Sequence, residues 1–215
     1  ISVKASQAEI LFPFNPEAGT IFVSPGGDDS NPGTRDAPVA TIAKALELAA
    51  KGKIVLLEGT HKTGDLGIVS DDLNITGEGR AIIDAQNSNR ILYVGEDAKV
   101  VISNVIMVNG YTIDESGALL GNSNELTLIN CTLANSSASQ NNGGAIFSVG
   151  KLTIINTTIA NCTAVRGGAV YTQTENDDTQ INIFNSTFEN NIAKGKETWG
   201  GGAIYAQRIG AIYEF

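Results

Sequence analysis

LTLINCTLANSSA, residues 126–138, decides the fold of this chain because the same pattern returns at a nearly constant spacing. Residues 152–164 read LTIINTTIANCTA, residues 181–193 read INIFNSTFENNIA, and residues 100–110, VVISNVIMVNG, form a fainter copy. The first asparagine of each copy recurs at steps of 26, 26 and 29 residues, at Asn104, Asn130, Asn156 and Asn185. A repeat of this length predicts a solenoid in which each copy forms one coil.

The order of residues within the repeat predicts short strands. Apolar residues alternate, as at Leu126 and Leu128, and the alternation changes phase at Asn130. Asparagine tolerates the left-handed conformation of a corner, so we expect it to turn the chain from one strand to the next. A Gly-Ala pair, as in Gly144-Ala145, precedes a third strand. The prediction is an all-β, right-handed, single-stranded parallel β-helix with three short strands per coil, stacked roughly 4.8 Å apart.

The recurring asparagines predict side-chain hydrogen bonds between neighbouring coils. The first asparagine of each coil is expected to point inward and to form a side-chain amide ladder, made of Asn104, Asn130, Asn156 and Asn185. Six N-x-S/T sequons occur in the chain, five of them at asparagine positions of the repeat. A buried ladder residue cannot carry a glycan, so the sequence favours the second asparagine column, at Asn135 and Asn161, for glycosylation.

The chain divides into an N-terminal arm, residues 1–20, and a β-helix, residues 21–215, with regular repeats from about residue 100. Residues 41–51 are predicted to form a capping helix, with Thr41 as N-cap, because apolar residues recur there at helical spacing. A solenoid needs such a cap over its open end. No capping pattern follows Tyr205, so the chain is expected to be the N-terminal piece of a longer protein.

Composition narrows the functional classes. The 215 residues are 42% hydrophobic and include 24 glycines, which suits one β-rich domain. The net charge of −9 disfavours nucleic-acid binding, and no apolar run reaches the length of a membrane span. Cys131 and Cys162 lie about five strand positions apart in the repeat register, roughly 16 Å. That separation exceeds disulfide reach, so two reduced, packed thiols are expected.

Three glycine-rich motifs carry a family resemblance: Gly143-Gly144-Ala145-Ile146, Gly167-Gly168-Ala169-Val170 and Gly201-Gly202-Ala203-Ile204. With Phe188-Glu189-Asn190-Asn191, they resemble the GGA[ILV] and FxxN repeats of polymorphic outer-membrane proteins, and also the repeats of adhesin-like surface proteins of methanogenic archaea. Residues 22–48 are similar to the entry region of pectate-lyase-like β-helices. The resemblance implies a secreted or surface-anchored protein whose β-helix displays a binding surface.

The sequence favours a role without catalysis but leaves enzymatic activity open. Enzymes of the pectate-lyase-like type need clustered carboxylates for Ca²⁺ or for acid–base chemistry, whereas the aligned repeat positions hold Thr, Ser, Asn and small apolar residues. No catalytic residue and no metal site is therefore predicted. Ca²⁺ is the one cofactor left open: Asp28 and Asp29, with Ser30 and Asn31, could offer it oxygen ligands, but the sequence favours turn and cap roles for them. His61, the single histidine, is expected at the surface.

Two insertions in the repeats hold the candidate ligand contacts, because loops on a rigid scaffold commonly carry function. Residues 173–180 add an acidic loop with Asp177 and Asp178, and residues 194–200 carry Glu197 and Trp199. We expect an extracellular or cell-surface, adhesin-like module that binds a carbohydrate or a cell-surface protein. A polysaccharide lyase or hydrolase and a structural spacer remain the alternatives.

Overall fold

A computed structural model describes residues 19–49, 52–173, 179–195, 200–207 and 213–214. Within these residues the chain is a parallel β-helix with one short helix, α1, at Ile42–Ala49. The strands form three sheets in which neighbouring coils pair in parallel. The predicted all-β parallel β-helix is confirmed.

The first sheet contains, in chain order, β1 Thr20–Val23, β2 Gly52–Leu56, β3 Gly59–Lys62, β5 Leu73–Asp84, β7 Lys99–Val108, β10 Glu125–Ile129, β11 Thr132–Ala134, β14 Lys151–Ile155, β15 Thr158–Ala160, β18 Gln180–Phe184, β19 Thr187–Glu189 and β22 Tyr213–Glu214. The second sheet contains β8 Tyr111–Thr112, β12 Ser137–Asn142, β16 Thr163–Arg166 and β20 Ile192–Ala193. The third sheet contains β4 Ile68–Val69, β6 Leu92–Val94, β9 Leu120–Asn122, β13 Ile146–Ser148, β17 Val170–Gln173 and β21 Ile204–Gln207.

The coil register follows the sequence repeat. Leu126 lies beside Val100 in the coil before and beside Leu152 in the coil after. All three side chains are buried and belong to one continuous apolar core that runs through the coils. Each regular coil crosses the first sheet twice, as β10 and β11 do, because an asparagine corner bends this sheet without ending it.

The corner asparagines have the backbone conformation expected of them, but their side chains point the other way. Asn104, Asn130, Asn156 and Asn185 have φ between 47° and 56°, and their side chains are exposed. Asn130 Nδ2 donates to Asn104 Oδ1 over 3.2 Å, on the outside of the coil. The inward ladder predicted for this column is therefore wrong: each corner turns its asparagine toward solvent and the following residue toward the core.

An inner polar ladder is formed by the residue after the corner asparagine in three successive coils, at Cys131, Thr157 and Ser186. The amide of Cys131 donates to Thr157 Oγ1 in the next coil, and the amide of Thr157 donates to Ser186 Oγ, each over 3.2 Å. At the second corner, the amide of Cys162 donates to Asn191 Oδ1 over 3.0 Å. These side chains, buried at Thr157 and half-buried at Ser186 and Asn191, satisfy amides that the bend removes from the regular sheet pattern.

The two thiols are free and buried, which confirms the prediction for Cys131 and Cys162. They lie at different corners. Cys131 Sγ contacts the carbonyl of Ile102, while Cys162 Sγ accepts a hydrogen bond from Ser136 Oγ over 3.1 Å. Burial raises the pKa of both thiols.

The start of the β-helix is covered by a turn and by α1. The amide of Phe22 in β1 donates to Gly33 O, and the amide of Val39 donates to Phe22 O, so residues 33–39 line the outer edge of β1. Helix α1 packs against β1 and β2 and buries Ile42, Ala45 and Ala49. Thr41 Oγ1 accepts from the amide of Lys44 over 3.1 Å, as an N-cap does.

His61 does not lie at the surface as predicted. It is 3% exposed and points inward from β3, because its backbone partner in β5 is the interior residue Ile83. The irregular sequence of the first coils offers no repeat partner from which this inward register could be read.

Candidate functional site

The four predicted ligand contacts lie outside the described residues. Asp177 and Asp178 fall within residues 174–178, and Glu197 and Trp199 fall within residues 196–199. The structure does describe the chain on both sides of each insertion, and it therefore shows which part of the β-helix the insertions border.

Both insertions border the third sheet. The first follows β17 and the second precedes β21, and these two strands are neighbours in that sheet. Along the first sheet the coil length grows from 26 residues between Leu126 and Leu152 to 29 up to Ile181 and 32 up to Tyr213. The extra residues of two successive coils are thus added at opposite ends of adjacent third-sheet strands.

An aromatic column runs between the two insertions on the outer face of this sheet. It consists of Phe147, Tyr171 and Tyr205, which share one register position in β13, β17 and β21. Their rings are stacked nearly parallel, with centroids 5.8 Å and 5.4 Å apart. Alternation along the strand places these rings opposite the interior residues Ile146 and Val170.

The stacking determines which parts of the rings a ligand can reach. Tyr171 is 1% exposed, and its ring faces are occupied by its two neighbours. Phe147 and Tyr205 are half-buried. Only Phe147 and Tyr205 therefore remain partly accessible to a ligand, while Tyr171 is enclosed between them and offers no open aromatic face on which a sugar ring could stack.

Polar groups lie along the column. The Tyr171 hydroxyl donates to the Gln207 side-chain oxygen and lies 3.4 Å from that of Gln173. The Arg166 guanidinium lies 5.9 Å from the centroid of the Tyr205 ring. Burial raises the pKa of Tyr171, so its hydroxyl stays protonated at neutral pH. We give the name third-sheet face to the aromatic column with Gln173, Gln207 and Arg166; Arg166 ends β16 of the second sheet but lies over the Tyr205 ring. The third-sheet face offers hydrogen-bond donors and acceptors beside apolar ring edges.

In the earlier coils of the third sheet, the outer face is covered by contacts among its own side chains. Tyr93 leans over Gly121, where a β-carbon would lie 2.1 Å from the Tyr93 ring. Arg90 lies over the same ring at 5.0 Å from its centroid and pairs with Glu115 and the Ser116 carbonyl. Within this cluster Arg90 and Glu115 neutralise each other, and the Tyr93 ring packs on the sheet.

The described residues contain no group of three or more His, Cys, Asp or Glu side chains that could hold a metal ion. Asp28 and Asp29 serve turn and cap roles. Asp28 Oδ1 accepts from Ser30 N and Oγ over 2.8 Å and 2.7 Å. Asp29 accepts from the amides of Ala40 and Thr41 and from the Thr41 hydroxyl, next to the start of α1.

Both favoured glycosylation candidates are exposed corner residues. Asn135 and Asn161 have φ of 57° and 55° and lie at the surface. Asn130 and Asn156 are equally exposed, so the structure removes the argument that ranked the second column above the first. The Ser or Thr two positions later starts the next strand, which accounts for the sequon pattern without a glycan.

Comparison with known proteins shows which repeats the repeats of this chain are similar to. Residues 185–207 match the repeat of the Chlamydia polymorphic membrane proteins. This segment includes the corner Asn185 and the last Gly-Gly-Ala motif. The chain is a parallel β-helix with repeats similar to those of the polymorphic membrane proteins. Within the described residues, no helix is long and apolar enough to cross a membrane.

Two longer proteins match parts of this chain, one in sequence and one in structure. The uncharacterized protein YwoF of Bacillus subtilis (strain 168) is 30% identical over 114 residues, which cover 47% of this chain and 24% of the relative. A solved rhamnogalacturonan lyase superposes with a TM-score of 0.50 over 90% of this chain and 66% of the lyase, at 12% identity. This likeness shows a common fold. The chain spans about a quarter of YwoF and just under two thirds of the lyase.

Proposed function

We propose that this chain is a surface-displayed binding module of the adhesin type, whose ligand is a carbohydrate or a cell-surface protein. The observation that carries the proposal is the position of the two insertions, which break the repeat length on either side of the third-sheet face. Function on repeat scaffolds concentrates where loops depart from the repeat. The match to a surface-protein repeat supports display at the cell surface.

The composition of the two insertions suits this role. Trp199 offers a large amphipathic ring, and such rings commonly anchor carbohydrate and protein ligands. Glu197, Asp177 and Asp178 add acceptors that can bond sugar hydroxyls or basic side chains. In the strands that the insertions border, Gln173 and Gln207 supply polar side chains, and the buried Tyr171 hydroxyl between them holds the Gln207 side-chain oxygen in place. A ligand lying across the third sheet would cover the strands β17 and β21, which the two insertions adjoin.

Screening the purified chain against immobilised glycans and cell-surface proteins tests the proposal. We expect binding to a defined ligand, and we expect Trp199→Ala to weaken it by tenfold or more, since aromatic anchors are frequent hot spots. Phe184→Ala is the matched control, because Phe184 is an aromatic residue that is 40% exposed on the first sheet. If the Phe184 variant lost binding while the Trp199 variant retained it, the site would be misplaced.

The lyase alternative is tested in the same preparation. Incubation with acidic polysaccharides, with and without Ca²⁺, should yield no unsaturated products. Their appearance would replace the binding-module proposal with an enzymatic one. If neither binding nor product formation were observed, the spacer alternative would be favoured.

A further inference from the structure

His61 occupies an interior position at the start of the β-helix. The interior column that begins with His61 continues with apolar residues in every later coil, namely Ile83, Met107, Leu133, Ile159 and Phe188. The histidine therefore replaces a residue that would otherwise contribute apolar packing. His61 lies in β3, and among the described strands only β5 pairs with β3. This strand therefore has a sheet neighbour on one side only.

The hydrogen bonds of His61 define its proton state. Nε2 lies 2.8 Å from the carbonyl oxygen of Leu57, and because that oxygen can only accept, Nε2 carries the proton. Nδ1 is buried and has no hydrogen-bond partner. A second proton on Nδ1 would create a buried cation whose new N–H has no acceptor, which is a costly arrangement.

Within the part of the chain that the structure describes, no neighbouring charge compensates that cation. The charged residues on the segments that pack with His61 are exposed or half-exposed on the outer side of the coil: Glu58, Lys62, Glu78, Arg80 and Asp84. Burial is the dominant influence and lowers the pKa of His61, while the bond to Leu57 opposes it, and no charged group contributes.

We propose that His61 is an acid-sensitive lock: its protonation opens β3 and the turn before it, while the later coils stay closed. Because the imidazole of His61 is harder to protonate in the folded segment than in the open one, the folded segment binds fewer protons. The lock is therefore fully closed above the ordinary histidine pKa of 6.5. Opening becomes easier as the pH falls from that value, by up to about tenfold per pH unit, until the folded group itself takes up the proton.

The single histidine makes the test direct. We would follow the imidazole resonance of His61 by NMR and the amide exchange of residues 57–62 between about pH 7 and pH 5, corrected for intrinsic exchange rates. The proposal expects titration below 6.5 and exchange that accelerates in residues 57–62 but not in residues 151–160. Titration at the ordinary value, unchanged opening, or global unfolding with no earlier local opening would overturn it.

Variants separate the lock from general acid sensitivity. His61→Leu should keep residues 57–62 closed at both pH values, because leucine suits the apolar column. If His61→Leu does not fold, His61→Gln keeps a donor toward Leu57 without titrating. Thr60→His in the His61→Leu background is the matched control, since Thr60 is exposed on the same strand. This variant should show no acid opening, and acid opening that persisted in all variants would contradict the proposal.

Discussion

The amide of Cys131 donates to the hydroxyl of Thr157 in the adjacent coil over 3.2 Å. That hydroxyl in turn donates to the Ile155 carbonyl over 2.9 Å. Replacing Thr157 with valine keeps the shape of the side chain but leaves the buried Cys131 amide without its acceptor. We expect Thr157→Val to reduce the free energy of unfolding by about 1–3 kcal/mol, measured by urea denaturation.

Thr158→Val provides the control for that substitution. Thr158 is half-exposed at the start of β15, and β-branched residues are readily accepted in strands. We expect a change within about 0.5 kcal/mol. Equal losses for the two variants would mean that the hydroxyl of Thr157 is not a structural acceptor.

Asn156 is required by its backbone conformation and not by a buried amide. Its φ is 49°, a region that costs most side chains about 1–2 kcal/mol. Asn156→Leu should therefore lower the melting temperature, while Asn156→Gly should retain most of the stability because glycine adopts this region freely. Calorimetry of the two variants checks this. A glycine variant as unstable as the leucine variant would indicate that the side-chain amide itself matters.

The repeat made the coils predictable, because the asparagines recur at a fixed step and corners need their conformation. The inner ladder was not predicted from the sequence, because Thr157 acts through contacts with neighbouring coils. Its contact in the following coil, Ser186, lies 29 residues away in the sequence. A signal existed: a small polar residue, Cys, Thr or Ser, follows the corner asparagine in several coils.

Only part of the candidate site could be predicted from the sequence. The lengthened coils identified both insertions, but only the strand pairing showed that both border the third sheet. The aromatic column also left a signal, since Phe147, Tyr171 and Tyr205 each stand second after the alanine of a Gly-Gly-Ala motif. His61 could not be placed, because the first coils have no regular repeat to align.

Both cysteines should be unreactive in the folded protein. Burial raises the pKa of Cys131 and of Cys162, which lowers the thiolate fraction, and it also blocks access by reagents. We expect two thiols to react with a disulfide reagent only after denaturation, followed by absorbance. Rapid labelling of either thiol in the native protein would show that its corner opens readily.

Gly121 should not tolerate a side chain. A β-carbon there would lie 2.1 Å from Tyr93 Cδ2, so Gly121→Ala must displace the ring that Arg90 covers. We expect a loss of about 1–3 kcal/mol from overpacking in thermal or chemical unfolding. Gly64→Ala is the control, since no atom lies within 4 Å of its added carbon. Equal stability of the two variants would contradict the packing of Tyr93 over Gly121.

The most direct test of the account compares two faces of the same β-helix for binding. Arg166→Gln and Gln207→Ala alter the third-sheet face, and Thr127→Ala with Thr158→Ala alters the first sheet outside it. Affinity for the ligand identified by screening is measured by calorimetry for each variant. The account predicts a loss of tenfold or more for the third-sheet variants and unchanged affinity for the first-sheet variant. Binding lost through the first sheet and retained by the third-sheet variants would contradict it.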